Sequence, residues 1–343
     1  MITKESLTNF AYSLGLELLG SIRIEPVTDT YLKEWIQSGK SADMEWMSRS
    51  AEKREDPARV LEGAKSMLIV TLNYFQGDPP EDIANDPSRG RIARYAWYPE
   101  YHEVLKETLE RLVQFIQTAT GVAFGYRTYV DTGPVLERYW AERAGLGFIG
   151  KNSSLIFWKY GSYVFLGEIL LDIELPEIHQ HSIGGCGTCT RCLATCPTGA
   201  IVSPKVVDAR MCISYLTIEN RGVIPEKFRK AIGNRIFGCD ICQEICPWNS
   251  KAKKVEGLPM PDWNLWAPRL TEAIGLSEDE FKKRYDNSPV LRTKYNGFIR
   301  NVAVALGNWG SGEAREALQK AKEQHNDTII QEHIDWAIKE CTI

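Results

Sequence analysis

No long apolar run occurs in the 343 residues, so no segment is expected to cross a bilayer as a helix. The opening stretch, MITKESLTNFAYSLGLELLG, mixes charged and apolar side chains and carries neither a signal-peptide core nor a twin-arginine export motif. A cytoplasmic location without a membrane partner is expected. An excess of one charge is also missing: 41 Lys and Arg face 45 Asp and Glu, a formal net charge of -4. That excludes global attraction to nucleic acid or anionic lipid, so any nucleic-acid site must be a local patch. Histidine is scarce, at five residues (His102, His179, His181, His325, His333), and no HExxH spacing occurs among them. Disorder is not expected from 43% hydrophobic and 25% charged residues, and the length suggests two or three folded units.

Cysteine, by contrast, is abundant, and nine cysteines in a reducing compartment are better explained by metal than by disulfides. The first run is Cys186, Cys189, Cys192 and Cys196, followed by Pro197, which is the CxxCxxCxxxCP spacing of ferredoxins that carry two 4Fe-4S clusters. Two-residue gaps let three thiolates point inward from one tight loop, and the fourth reaches the neighbouring cluster. The second run, Cys239, Cys242 and Cys246 with Pro247, is one cysteine short, and Cys212 supplies it from upstream. The expected sets are Cys186, Cys189, Cys192 and Cys246 for one cluster and Cys212, Cys239, Cys242 and Cys196 for the other. Structural zinc is the alternative for paired CxxC motifs, but eight cysteines in two runs closed by Cys-Pro favour clusters. Cys341 is left over on the inward stripe of the last helix, as a small core residue. Two adjacent clusters form a relay for single electrons.

Around this centre the chain divides into three units. Residues 1–175 read as an α/β domain: a helix near the start ends at Gly15, a stripe of Leu105, Leu109, Leu112, Val113 and Ile116 marks a second helix, and MLIVTLNY, VAFGYRTYV, SLIFW and YVFLGEILLDIEL read as strands. Pro134 is expected to open the helix PVLERYWAERAG, which leaves Asp131 in a strand-to-helix turn, where a simple cap is the plain reading. Gly145, Gly147 and Gly150 spell GxGxxG but follow a helix, so a close-approach loop for another ligand is favoured over a dinucleotide fold, and the Lys151-Asn152 that follows is not a P-loop ending. Tyr95, Trp97, Tyr98 and Tyr101 could stack on a ring or fill the core. Residues 176–255 form the cysteine-rich unit. Residues 256–343 become helical, with stripes on Ile299, Val302, Ala303 and Leu306, then Ala314, Ala317, Leu318 and Ala321, then Ile330, Ile334, Ala337, Ile338 and Cys341, and with Gly307 and Gly310 as breaks. This spacing resembles a short HEAT-type array.

The segments RIARYAWYPEYH (91–102), YVDTGPVLER (129–138), GLGFIGKNSSLI (145–156), CGTCTRCLATCPTGAI, CISYLTIENRG (212–222) and FGCDICQEICPWN (237–249) together resemble the epoxyqueuosine reductase family. The resemblance implies an α/β cobalamin-binding domain similar to that of reductive dehalogenases, a ferredoxin-like insert with two 4Fe-4S clusters, and a HEAT-like tail that contacts transfer RNA. The implied activity is reduction of epoxyqueuosine to queuosine at the wobble position of transfer RNAs with GUN anticodons, those for aspartate, asparagine, histidine and tyrosine, with electrons from an external donor. Asp131 matches the family's proton donor. Arg54, Asp131, Arg138, Lys151, Asn152, Ser153, Ser214, Thr217 and Asp240 lie in matching motifs as cobalamin-pocket candidates, and the missing DxHxxG agrees with a corrinoid held without a histidine ligand. A proton donor near neutral pH requires a carboxyl pKa raised by burial. Lys227, Arg229 and Lys230, Lys251, Lys253 and Lys254, and Lys282, Lys283 and Arg284 are candidates for phosphate contact. A dehalogenase-like reductase and a non-catalytic two-cluster electron carrier remain the other readings.

Overall fold

The computed structural model describes residues 2–97, 100–181, 184–256 and 261–341. Its first part is organised by four antiparallel strands, β1 (Leu18–Arg23), β2 (Ser66–Asn73), β3 (Tyr126–Tyr129) and β4 (Val164–Leu171), in the order β1-β2-β4-β3. The two central strands, SMLIVTLN and VFLGEILL, are nearly continuous apolar runs because both faces of the sheet are covered. On one face lie α1 (Lys4–Ser13) and α2 (Tyr101–Thr120), joined by stacking of Phe10 on Phe115 at 4.2 Å. The expected stripe of α2 is buried there, and Gly121 closes the helix at φ 67. Gly167 keeps that packing close, since a Cβ would stand 3.3 Å from Leu109 and Val70. The opposite face is covered by α3 (Glu137–Arg143), with Trp140 among Met67, Ile69 and Leu170.

Several expected elements are shorter than their sequence patterns. Of 122–130 only Tyr126–Tyr129 is strand, and of SLIFW only Leu155–Ile156, which pairs with Phe148–Ile149. The helix expected from Pro134 starts three residues later, with Leu136 at its N-cap, so Pro134 shapes a loop and Asp131 is not a cap. The glycine triad is a correction of a different kind. A Cβ on Gly145 would fall 1.8 Å from the carbonyl of Gln180, and one on Gly147 2.5 Å from that of Ile156. These glycines let the chain approach itself closely.

The three tail helices, α4 (Lys294–Trp309), α5 (Gly312–Gln324) and α6 (Thr328–Glu340), pack on one another. Gly310 ends α4 in a left-handed conformation, but Gly307 is not a break: it lies inside α4, where a Cβ would meet Ala337 of α6 at 2.8 Å. The tail core continues without interruption into Ile213, Ile218, Ile232 and Phe237 of the cysteine-rich region. Two buried polar side chains of α4 fasten it there. Arg300 donates to the carbonyls of Leu216, Asn220 and Gly222 at 2.7–2.8 Å, and Asn301 donates to those of Thr217 and Ile236 at 2.8 and 2.9 Å. Cys341 is buried in this core. Among the described residues no helix is long and apolar enough to cross a membrane.

Candidate active site and cluster-binding region

Asp131 follows β3 in a loop that the backbone constrains twice. Its own φ is 59, a left-handed conformation that aspartate tolerates better than most residues, and Gly133 lies so close to the Tyr129 ring that a Cβ would be 2.3 Å from it. The carboxylate projects into a cavity of about 520 Å³ walled by Tyr95, Tyr101, His102, Ser288 and Arg292. Tyr101 donates its hydroxyl to Oδ2 at 3.3 Å, and Nε2 of His102 stands 3.7 Å from the same oxygen. The expectation of a raised pKa is not met. Hydrogen bonding with His102 outweighs burial and, with Arg292 and Tyr101, holds the Asp131 carboxyl below its ordinary value. A carboxylate beside two cationic groups rests ionised.

Behind this loop lie two further acids. Glu168 projects from the central strand β4, fully buried, with neither carboxylate oxygen hydrogen-bonded, and Oε1 of Glu137 is likewise enclosed without a partner. Burial pushes Glu168 well up and Glu137 to about 7, with the neighbouring carboxylates adding to both. Arg54 is the nearby cation: it donates to Ser50 Oγ at 3.0 Å and to the carbonyl of Val135 at 2.9 Å, bracing the Asp131 loop from below.

The eight cysteines of the two runs are all free and half-buried. Their mutual electrostatic contacts fall into two groups: Cys192 with Cys186 and Cys246, and Cys246 with Cys186 and Cys189; then Cys212 with Cys196, Cys239 with Cys212, and Cys242 with Cys239 and Cys212. Cys242 also senses Cys192, so the groups are neighbours. Backbone amides already face the sulfurs, those of Ser214 and Tyr215 at Cys212 and that of Lys151 at Cys186 Sγ, 3.4 Å away. Among the described residues no three His, Cys, Asp or Glu are placed to hold a single metal ion. A four-iron cube needs a wider cage than one zinc with sulfurs at about 2.3 Å.

The remaining candidates separate. Arg138 donates to the carbonyl of Ser153 at 2.6 Å, and Ser153, at φ 64, keeps its hydroxyl buried without a partner. Lys151 caps the first cysteine loop through the carbonyls of Gly187 and Cys189, and Asn152 donates to that of Cys242 at 3.1 Å. Ser214 belongs to the Cys212 turn. Thr217 is fully buried, and its hydroxyl is engaged with the carbonyl of Ile213 and the amide of Gly238. Asp240 accepts from the Arg94 amide at 2.7 Å and faces a second cavity, not that of Asp131. Of the basic candidates, Arg229 is excluded from RNA contact by burial and its pairing with Glu332 at 2.6 Å, and Lys230 is paired with Glu340. Tyr98 lies outside the described residues. Sequence reasoning missed Arg292, Glu137 and Glu168, and gave His102 no role; only the fold brings them to Asp131.

Comparison with known proteins agrees with these features. Residues 185–249 match the family of 4Fe-4S double cluster binding domains, and residues 54–132 match the family described as epoxyqueuosine reductase QueG, DUF1730. The chain is 41% identical over 339 residues to the epoxyqueuosine reductase of Xanthomonas campestris pv. campestris, covering 97% of this chain and 94% of that protein. It is 40% identical to that of Escherichia coli K12, covering 97% and 88%. Among solved structures, epoxyqueuosine reductase from Streptococcus thermophilus superposes with a TM-score of 0.85 at 31% identity, covering 99% of this chain and 90% of that one. An epoxyqueuosine reductase with a tRNA-Tyr epoxyqueuosine-modified stem loop superposes with a TM-score of 0.77 at 31% identity, covering 98% of both.

Proposed function

The chain belongs to the epoxyqueuosine reductase family, and from that membership we propose that it reduces epoxyqueuosine to queuosine at the wobble position of transfer RNAs with GUN anticodons. The observation that carries this reading is the Asp131 carboxylate, presented on a constrained loop into a cavity walled by Tyr95, Tyr101, His102 and Arg292. The reaction breaks two C–O bonds and releases water, and it takes up two electrons and two protons.

The residues fit the groups that this chemistry requires. Two sets of four thiols, each met by backbone amides, suit two 4Fe-4S clusters. For cobalamin, the loop through Ser153 offers a buried hydroxyl with no partner among the described residues, braced by Arg138, and Arg54 supplies a cation beside the acids behind the Asp131 loop. When bound, cobalamin supplies a low-valent cobalt able to open an epoxide, and the clusters return electrons to it singly from an external donor. Asp131 then delivers a proton to the departing oxygen, without which an alkoxide would be a poor leaving group. Tyr101 and Arg292 stabilise the carboxylate left behind. Tyr95 and Tyr101 offer aromatic walls to a nucleobase.

In this reading residues 1–175 bind cobalamin, residues 176–255 hold the clusters, and residues 256–343 contact RNA, with Ser288 and Arg292 reaching the cavity from the tail. Exposed Lys282 and Lys283 are candidates for the phosphate backbone. A cytoplasmic location goes with a transfer-RNA substrate. Anaerobic incubation of reconstituted protein with reductant and epoxyqueuosine-bearing transfer RNA, followed by mass analysis of the wobble nucleoside, should show loss of one oxygen. An unchanged nucleoside with both cofactors loaded contradicts the proposal.

A further inference from the structure

Turning an epoxide into an alkene and water takes up two protons, while one carboxyl carries one at a time. The Asp131 carboxylate also rests ionised between His102 and Arg292. A group that loads it must therefore stand behind it.

We propose that His102, oriented by Glu100, loads Asp131 with each proton in turn, so that both reach the epoxide oxygen along one line from Glu100 through His102 to Asp131. The inference rests on the reading of Asp131 as the proton donor. Nδ1 of His102 is 2.8 Å from Glu100 Oε1, and Nε2 is 3.7 Å from Asp131 Oδ2. Glu100 fixes which nitrogen titrates: with Nδ1–H donated to its carboxylate, Nε2 is the one that exchanges a proton with Asp131. The ring is stacked on Tyr101 with centroids 3.9 Å apart, which holds it beside the cavity. A separation of 3.7 Å is an ion-pair distance, and such contacts shorten when a substrate closes the site.

Exposure completes the geometry. The side chain of His102 is 32% accessible and that of Asp131 59%, so the ring can take a proton from solvent while it faces the carboxylate. Charged groups surround the ring, among them Lys106, one turn further along α2 and lining the same cavity. Asp131 and Glu100 face His102, and their bonds to the imidazole outweigh its burial and raise its pKa. Asp131 is faced by Arg292 and Tyr101, and its charge is also felt at Tyr95, Arg54, Glu137 and Glu168. Of the two, His102 holds a proton the more readily.

In the first pass, Nε2–H of His102 gives its proton to Oδ2 of Asp131, which donates it to the epoxide oxygen as the first C–O bond breaks. His102 is then neutral, and it takes a proton from solvent. In the second pass the same transfer protonates the hydroxyl, which leaves as water when the second C–O bond breaks. Two electrons enter singly from the external donor, so the alkene and water balance the epoxide, two electrons and two protons.

The test uses the cofactor-loaded protein in single turnover across pH, with His102→Ala, Glu100→Gln and Asp131→Asn, and titration of His102 by NMR in the unloaded protein. His102→Ala should slow turnover by about a hundred-fold or more and should be restored in part by added imidazole, with iron and cobalamin content unchanged. Glu100→Gln should move the fall in rate to lower pH, because His102 loses one of the two carboxylates that raise its pKa. Asp131→Asn should lower the pH at which His102 titrates. If His102→Ala turns over within a few-fold of the parent while Asp131→Asn is inactive, the relay is wrong and the reading of Asp131 stands. Parent-like turnover in Asp131→Asn overturns that reading itself. Loss in His102→Ala without imidazole rescue, together with an unmoved profile in Glu100→Gln, means that the ring only shapes the cavity and overturns the relay.

Discussion

Lys151 leans over the first cysteine loop, and its ammonium donates to the carbonyl of Cys189 at 2.9 Å while its own amide points at Cys186 Sγ. The positive charge would therefore sit beside a cluster held by this loop and favour its reduced, more negative form. Lys151→Met removes that charge and keeps most of the length. Its expected effect is a lower midpoint potential for the cluster of Cys186, Cys189, Cys192 and Cys246, by an amount on the order of 1 to 2 kcal/mol at an effective dielectric of about 20. Redox titration followed by electron paramagnetic resonance checks this, with the other cluster as the internal control.

Cys212 lies within electrostatic reach of Cys196, as the exchanged ligand pattern of two-cluster ferredoxins requires. Cys196→Ala should therefore damage the cluster built on Cys212, Cys239 and Cys242 and leave that of Cys186, Cys189 and Cys192 in place. Iron counting with spectroscopy of the reduced protein separates the two. Loss of the Cys186 cluster alone would show that each run serves itself.

Gly307 meets Ala337 where α4 crosses α6, and an added Cβ would come within 2.8 Å of the Ala337 backbone and 2.9 Å of the Trp336 ring. Alanine ordinarily stabilises a helix interior relative to glycine by roughly 1 kcal/mol. Here overpacking should reverse the sign, so that Gly307→Ala destabilises by about 1 to 3 kcal/mol in thermal or chemical unfolding. Because α4 also clamps the turn after Cys212, the same variant should lose iron faster on mild heating.

Glu168 makes stability depend on pH with a sign opposite to that of most carboxylates. Its folded pKa lies well above its ordinary value, so the folded protein binds a proton that the unfolded chain releases. Stability should fall as pH rises from about 4.5 toward that raised value, by up to about 1.4 kcal/mol per pH unit. Glu137, raised to about 7, adds to the same slope until near neutrality. Glu168→Gln should flatten the dependence above about pH 4.5 and raise the melting temperature at the alkaline end.

What the sequence discloses is what lies close together in it. The cysteine spacing, the stripe from Leu105 to Ile116 and the core position of Cys341 follow from local periodicity. Asp131 comes from a short motif. Its surroundings do not, since Arg292 arrives from the tail and His102 from the start of α2, which no spacing connects to YVDTGP. For the same reason the expected rise of the Asp131 pKa fails: the imidazole and guanidinium that hold it down are not legible beside it in the sequence. Gly307 looks like a helix break until Ala337 is found against it, and Thr217 looks available until Gly238 is.

In the proposed reaction Asp131 hands the proton to the departing epoxide oxygen. Asp131→Asn keeps the size of the side chain and its contacts with Tyr101 and His102 but cannot act as the acid. Single-turnover conversion of epoxyqueuosine in transfer RNA, measured beside the iron and cobalamin content of the same sample, is the direct test. The expected result is a loss of about a hundred- to ten-thousand-fold in rate with both cofactors retained. Conversion within a few-fold of the parent would contradict it.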